Sequence, residues 1–182
     1  MRLLQRVDHL DGRVARHCNR LARHPLVSRF FAVVSRLGNG GAWYAIMLAL
    51  PAIHGIWAWT VSLHMMAVGL VSMPLYRVLK QGAGRARPYR RHDDLLPGVP
   101  ALDEFSFPSG HTMHAVGFTV VLVAWLPAWA WLVVPFALLV AMSRLVLALH
   151  YPSDVAVGAL IGALIAGASL ALVPWLPLPL RV

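Results

Sequence analysis

Three long stretches of the sequence contain no Asp, Glu, Lys or Arg, and they constrain the fold more than any other feature. They cover residues 37–76, 105–143 and 155–180. A helix needs about 20 apolar residues to cross a bilayer. The first two stretches are each long enough for two such helices, and the third is long enough for one. Charged residues make up 13% of the chain, against about 25% in soluble domains. The chain is therefore expected to lie in a membrane.

The uncharged stretches predict an all-α, integral-membrane helical bundle of five spans, near residues 41–57, 59–79, 109–126, 129–149 and 155–175. Tight turns at 54–59 and 125–129 would make two hairpins, which brings the joins 80–108 and 150–154 to one membrane face. Tryptophan prefers the membrane–water interface. The tryptophans expected at the opposite face are Trp57, Trp59, Trp125, Trp129, Trp131 and Trp175, whereas Trp43 falls on the first face.

The N-terminal segment, residues 1–40, is expected to be distinct from the bundle of residues 41–182. An amphipathic interfacial helix is predicted because apolar residues recur at helical spacing among arginines; they are Leu3, Val7, Leu10, Val14 and Leu21. Pro25 should end this helix. A short apolar helix follows over 26–37, closed by Gly38-Asn39-Gly40-Gly41. It is short for a span, so an interfacial or half-inserted position is favoured over a sixth, distorted span.

Gly158 and Gly162 form a G-x-x-x-G pair in the last predicted span. Such pairs let helix backbones approach closely. Packing inside the chain's own bundle is favoured, and a homodimer through the same pair is the alternative.

The formal net charge of +9 raises the question of nucleic acid, but the long uncharged stretches favour anionic lipid headgroups or phosphate esters as partners. Cys18 is the single cysteine, so neither an internal disulfide nor a thiolate metal site is expected. No cleaved signal peptide is expected, since the first apolar stretch follows an Arg-rich segment and lacks a small-residue cleavage site.

Three clusters of polar residues map to the same predicted membrane face. They are Lys80 followed by Arg87-Pro88, then Pro108-Ser109-Gly110-His111, and then Ser143-Arg144 followed by His150 and Asp154. Lysine offers a mobile charge, and the two arginines offer planar forks that suit phosphate oxygens. Ser109 and Gly110 begin a helix, where free N–H groups favour an anion. Together these residues predict a metal-free site for a tetrahedral oxyanion.

Two histidines could flank a phosphorus atom in this site. Asp154 lies one helical turn after His150 and can accept a hydrogen bond from one nitrogen of its ring, which leaves the other nitrogen free to attack. His111 could then act as general acid and base. The spacing alone does not decide which imidazole is the nucleophile.

The clusters resemble the three signature motifs of the type 2 phosphatidic acid phosphatase superfamily. The resemblance implies a six-helix core or a close variant, and metal-independent dephosphorylation of lipid phosphates or diphosphates without a cofactor. It also implies His150 as nucleophile, His111 as acid and base, Asp154 as its orienter, and a phosphate-binding set consisting of Lys80, Arg87, Ser109, Gly110 and Arg144. The short first apolar segment is the one departure from the family.

Other polar groups carry weaker alternatives. His111 and His114 could share a metal ion, but no carboxylate or cysteine pattern completes the shell, so His114 is expected to pack or to line the pocket. Four acidic residues follow the first motif and are expected in a solvated, substrate-gating loop rather than a carboxylate pair; they are Asp93, Asp94, Asp103 and Glu104.

A polyprenyl diphosphate such as undecaprenyl diphosphate is the favoured substrate, from the resemblance to small bacterial members of the family. Phosphatidylglycerophosphate or phosphatidic acid is the next choice, and haloperoxidase chemistry or a non-catalytic lipid-binding scaffold is the alternative from another class. The location expected is the bacterial inner membrane. All 16 Lys and Arg except Arg181 fall on the active-site face, which favours the cytoplasm, whereas the family resemblance favours the outer, periplasmic face.

Overall fold

Helices account for nearly all of the regular structure in the part of the chain that is described. The computed structural model covers residues 2–172, with side chains from Arg6 onward. The helices are α1 (Arg2–Leu21), α2 (Pro25–Arg36), α3 (Ala42–His54), α4 (Trp59–Ala83), α5 (Pro88–Arg91), α6 (Gly110–Trp125), α7 (Ala130–Val146) and α8 (Pro152–Leu172). The prediction of an all-α fold is confirmed for this range.

Within residues 2–172, three helical stretches are long and apolar enough to cross a membrane, namely Ile56–Ala83, Pro127–Val146 and Pro152–Leu172. Helix α6 is also apolar but has 16 residues. Four predicted spans therefore coincide with α4, α6, α7 and α8, although α4 continues to Ala83. Helix α7 ends before residue 149 because Ala148 has a φ of 54°, a left-handed conformation that a right-handed helix cannot include. The last residues of the fifth predicted span, with Trp175, lie outside the described range.

The glycine-rich segment after α2 closes that helix, as predicted. Helix α2 ends at Arg36, and Asn39 and Gly40 have non-helical backbone torsions. Gly40 has a φ of 118°, a conformation that glycine adopts without steric cost. The Ala42 N–H donates to the carbonyl of Leu37, so the short apolar helix α2 and the first predicted span, α3, are two helices that meet at a tight kink.

The two predicted tight turns are present as short helical turns, Ile56–Ala58 and Pro127–Trp129. They lie at the same end of the bundle, where the Trp129 indole donates to Nε2 of His54 at 3.0 Å. Trp43 is different, because it is fully buried and its ring packs against Phe118 and Phe136, with centroids 5.5 and 5.3 Å away. It belongs to the core, not to a surface belt.

Helix α6 lies at the centre of the bundle and packs against α4, α7 and α8. Its closest approach is to α8, where a Cβ on Gly158 would lie 2.5 Å from the carbonyl oxygen of Ser109, and one on Gly162 would overlap that of Met113. The glycine pair therefore packs within the chain, as favoured. Both glycines are buried there, so they are not available as the contact surface of a dimer.

Helix α1 packs with its polar side against the end of the bundle. Asp11, Ala15 and Asn19 are buried, and the Asn19 side chain bonds both backbone groups of Leu96 and the carbonyl of Val146. The predicted apolar stripe points away from the protein, with Val7, Leu10, Val14 and Leu21 between 40% and 58% exposed.

The α6–α8 contact predicts a strong difference between two glycines of α8. We expect Gly162→Ala to destabilise the protein by about 1–3 kcal/mol, because the methyl group meets backbone that cannot move aside cheaply. Gly167→Ala is the matched control, since nothing lies within 4 Å of its Cβ position, and alanine is the better helix former. Thermal unfolding in detergent measures both; equal midpoints for the two variants would contradict the close contact.

Candidate active site

A cavity of about 260 Å³ lies where α4 ends and α6 begins. It brings together most of the predicted site residues, although they come from distant parts of the chain. Its lining includes Lys80, Arg87, Gly110, His111, Arg144 and His150. Ser109 and Asp154 are not part of this lining. Both side chains are fully buried beside the cavity. The two imidazoles thus share one cavity at one end of the bundle.

The start of α6 is fixed to the start of α8. The Ser109 N–H donates to the carbonyl of Asp154 at 3.0 Å, and the Ser109 and Thr112 hydroxyls are 3.0 Å apart. Helix α6 begins at Gly110, and the first N–H groups of a helix have no partner within the helix. The cavity therefore has the positive end of a helix dipole at its edge.

His150 is held in the turn between α7 and α8. Its backbone N–H and that of Leu149 both donate to the carbonyl of Arg144, at 3.1 and 3.0 Å. The ring is almost completely buried, with Nε2 3.4 Å from Nη1 of Arg87. Nδ1 lies 3.8 Å from the Asp154 carboxylate, so the predicted hydrogen bond between them is not formed in this structure.

The surroundings of His150 favour its neutral form. Burial, followed by the positive charges of Arg144 and Arg87, lowers the pKa of His150 well below its usual value of 6.5. The guanidinium of Arg87 can donate only to an unprotonated nitrogen, which assigns the lone pair to Nε2 and the proton to Nδ1. A neutral imidazole with its lone pair facing the cations of the cavity is a nucleophile in its reactive state.

The cations of the cavity are bridged by a carboxylate that sequence reasoning had assigned to a solvated loop. Lys80 Nζ and Arg87 Nη2 both donate to Asp103 Oδ1, at 2.6 and 2.7 Å. Lys80 also donates to the carbonyl of Phe105, and Arg87 to that of Leu149, at 2.9 and 2.7 Å. Asp103 is therefore part of the cavity lining. In the sequence, the only sign of this role is that Asp103 belongs to a cluster of acidic residues.

Asp103 is ionised at neutral pH. Burial opposes the charge, but the hydrogen bond and charge of Lys80, with those of Arg87, lower the pKa of the Asp103 carboxyl below its usual value. Its Oδ1 occupies the position between Lys80 and Arg87 that one oxygen of a bound anion would take.

Arg144 keeps free donor capacity in the cavity. Its guanidinium is 3% exposed and donates to the hydroxyl of Ser35 on α2. Its buried Nε has no hydrogen-bond partner among the described residues. A buried charge with an unused donor is costly unless a further partner binds it, so Arg144 is suited to an anion in the cavity.

Asp154 is held by an arginine that the sequence analysis did not single out. Arg85 Nη1 donates to Asp154 Oδ1 at 2.6 Å, and the backbone N–H of Tyr151 donates to Oδ2 at 2.8 Å. The sequence feature that could have indicated this role is the position of Arg85 between Lys80 and Arg87 in the first motif. A single arginine at a membrane face, however, usually contacts lipid headgroups.

The remaining histidine near the site has a packing role. His114 lines the cavity, with Nδ1 2.8 Å from the carbonyl of Gly110, and its ring packs against Tyr76 and Phe118. This agrees with the prediction. Across the described residues, His, Cys, Asp and Glu side chains form no group of three or more that could hold a metal ion.

The cavity has an apolar part that continues from the cations between α3, α4 and α6. Its lining there includes Met47, Met66, Leu70, Met73 and Phe118. Leu70 and Met73 are partly exposed on the outside of the bundle. A charged end and an apolar corridor therefore lie in one continuous space.

Comparison with known proteins gives consistent results. The chain is 46% identical over 75 residues to the bacitracin transport permease protein BcrC of Bacillus licheniformis, a match that covers 38% of this chain and 36% of that protein. It is 35% identical to the decaprenylphosphoryl-5-phosphoribose phosphatase of Mycolicibacterium smegmatis, over 76% of this chain and 74% of that one.

The fold is similar to a solved membrane enzyme. The structure superposes on the PAP2 type phosphatidylglycerolphosphate phosphatase of Bacillus subtilis with a TM-score of 0.76 and 26% identity, over 96% of this chain and 89% of that one. The family model for the PAP2 superfamily matches residues 57–177, a range that contains all the cavity cations and both histidines. The chain belongs to the PAP2 superfamily.

Proposed function

We propose that this protein is a metal-independent lipid phosphatase that acts through a phosphohistidine intermediate. The observation that carries the proposal is the single cavity in which Lys80, Arg87 and Arg144 surround the ring of His150, with His111 in the same lining. Several buried cations beside two imidazoles suit a phosphate group better than any uncharged ligand.

The reaction follows from this arrangement. Nε2 of His150 attacks phosphorus, the bond from phosphorus to the leaving oxygen breaks, and His111, in its protonated form, donates a proton to that oxygen and becomes neutral. Water then attacks the phosphohistidine, His111 takes a proton from it, and the P–N bond breaks to release phosphate. Lys80, Arg87, Arg144 and the N–H of Gly110 stabilise the charge on the phosphoryl oxygens; the N–H of Ser109, which the sequence placed in the phosphate-binding set, is engaged by the Asp154 carbonyl.

Asp154 orients His150 in this scheme. Its carboxylate is 3.8 Å from Nδ1, about 1 Å longer than an N–H···O hydrogen bond of about 2.9 Å. Catalytic hydrogen bonds often tighten when substrate binds. As positive charge develops on the imidazole during attack, the attraction to Asp154 grows, which closes this gap.

The apolar corridor supports a lipid substrate whose tail lies among methionine and leucine side chains while its phosphate reaches the cations. We favour undecaprenyl diphosphate or a related polyprenyl phosphate, and the relative named for a decaprenylphosphoryl substrate supports this class. Phosphatidylglycerophosphate or phosphatidic acid is the second candidate, which the name of the structural relative from Bacillus subtilis supports.

The placement in the membrane belongs to the same proposal. The bundle of residues 41–182 crosses the bacterial inner membrane five times, and residues 1–40 contribute an interfacial helix α1 and a half-inserted α2. The apolar stripe of α1 points away from the protein, as an interfacial helix requires. We place the active site at the outer face because the family resemblance favours that face, and because the arginines of α1 lie on an interfacial helix and are not charges of a loop, which is where the positive-inside rule counts them.

Phosphate release by His150→Ala tests the activity. We expect wild-type protein in detergent with EDTA to release phosphate from at least one of undecaprenyl diphosphate, phosphatidylglycerophosphate and phosphatidic acid. His150→Ala should lower kcat by at least about 1,000-fold, since a covalent nucleophile is lost. His54→Ala, at the other end of the bundle, is the control. Loss of activity on chelation, or full activity of His150→Ala, would contradict the mechanism.

Asp103 should compete with phosphate for Lys80 and Arg87. Asp103→Asn removes a negative charge next to the anion, so we expect the inhibition constant of inorganic phosphate to fall by about fivefold or more. Glu104→Gln is the matched control, because its carboxylate pairs with Arg90 at 3.3 Å and both side chains are exposed. An unchanged or higher constant in Asp103→Asn would show that the carboxylate does not share the phosphate position.

Labelling of one introduced cysteine shows which side of the membrane the active site faces. In a Cys18→Ser background, Arg90→Cys places a thiol at a side chain that is 48% exposed near the cavity. We expect a membrane-impermeant maleimide to label this thiol in intact spheroplasts as fully as in lysed ones. Labelling that requires lysis would place the site in the cytoplasm instead.

A further inference from the structure

A buried carboxylate on α1 connects the N-terminal helix to the proposed active site. Asp11 is 4% exposed and lies 100 residues before His111 and 139 before His150 in the chain. Its Oδ2 accepts a hydrogen bond from Arg85 Nη2 at 2.7 Å. It also bonds Ser153, whose backbone N–H donates to Oδ1 at 3.0 Å and whose hydroxyl donates to Oδ2.

Arg85 transmits this contact to Asp154. One guanidinium nitrogen faces Asp11, and the other donates to Asp154 Oδ1 at 2.6 Å and to the Ser153 hydroxyl at 2.7 Å. The guanidinium also lies 4.1 Å above the ring of Tyr151. Arg85 is therefore fixed on several sides, and its planar fork joins the two carboxylates in one geometry.

We infer that Asp11 is a positioning residue for the phosphatase reaction, which holds Asp154 in place through Arg85 and Ser153. The inference rests on the proposed function. Without Asp11, Nη2 of Arg85 would keep only the longer contact to Asp8 Oδ1 at 3.5 Å on this side, and Arg85 would move onto the Asp154 carboxylate. That carboxylate would then be less able to orient the His150 ring and to stabilise positive charge on it.

The burial of Asp11 and Asp154 supports a role for Asp11 beyond the docking of α1. Asp154 is fully buried and Asp11 nearly so, and two buried carboxylates sharing one arginine are costly unless every partner is in place. Docking of α1 already has its own contact, the Asn19 side chain with Leu96 and Val146. Asn19 makes no contact with Arg85 or Ser153 among its hydrogen bonds within the described chain.

The test measures kcat and KM for phosphate release from undecaprenyl diphosphate and from phosphatidic acid, each in detergent. We expect Asp11→Asn to lower kcat by about tenfold or more, as is typical when an outer partner of a catalytic group is lost, with KM unchanged. Asp11→Glu, which keeps the charge, should restore part of the loss. Asn19→Ala should lower the thermal midpoint but leave kcat close to wild type.

A double-mutant cycle with Arg85→Lys shows whether Asp11 acts through this arginine. We expect Asp11→Asn to change kcat by no more than about twofold in the Arg85→Lys background. If Asp11→Asn does not fold, Ser153→Ala is the milder variant, since it deletes the hydroxyl between Asp11 and Arg85, and a lower kcat is expected there too.

The outcomes separate this inference from the proposed function. Full kcat in Asp11→Asn, or an equal loss in Asn19→Ala, overturns the role of Asp11 while His150→Ala remains inactive. If His150→Ala itself keeps activity, the proposed function fails first. An additive effect in the double-mutant cycle overturns the path through Arg85.

Discussion

The site depends on the close backbone contact between α6 and α8. Gly158 and Gly162 let α8 approach α6 so closely that a methyl group at either position would meet backbone atoms. This contact brings the start of α6 beside the start of α8, where the Ser109 N–H bonds the carbonyl of Asp154. Because His111 lies in the first turn of α6 and His150 immediately precedes α8, the same contact brings both imidazoles to one cavity.

The cost of burying cations explains much of the polar structure around the cavity. Lys80, Arg87 and Arg144 are each no more than 5% exposed, and unpaired buried charges are strongly unfavourable. Asp103, the carbonyls of Phe105 and Leu149, and the Ser35 hydroxyl each accept a hydrogen bond from one or two of these cations. The positive charge that remains is compensated only when an anion binds. Relief of this unfavourable buried charge therefore contributes to the free energy of binding a phosphate group.

The sequence predicted the helices and the motif residues well, because charge-free length and helix-turn signals are local properties. Residues from all three motifs, including both histidines, do meet in one cavity. The end of α2 at the glycine-rich segment was also predicted, since glycine is a local signal for a helix end, but the tight kink that leads directly into α3 depends on packing against other helices. Asp103, Arg85 and Asp11 were missed for a different reason. Their roles depend on partners that are distant in sequence, and no spacing rule indicates a pairing of Asp11 with Arg85.

The apolar corridor beside the cations is lined in large part by methionines. Thioether side chains are unbranched and polarisable, so they repack around ligands of different shape at low cost. Under the proposed function, a wall made of Met47, Met66 and Met73 would accommodate a branched isoprenoid or a straight acyl chain with similar ease. Discrimination among lipids would then rest on the polar end, and the composition of the surrounding bilayer would decide which tail the corridor meets most often.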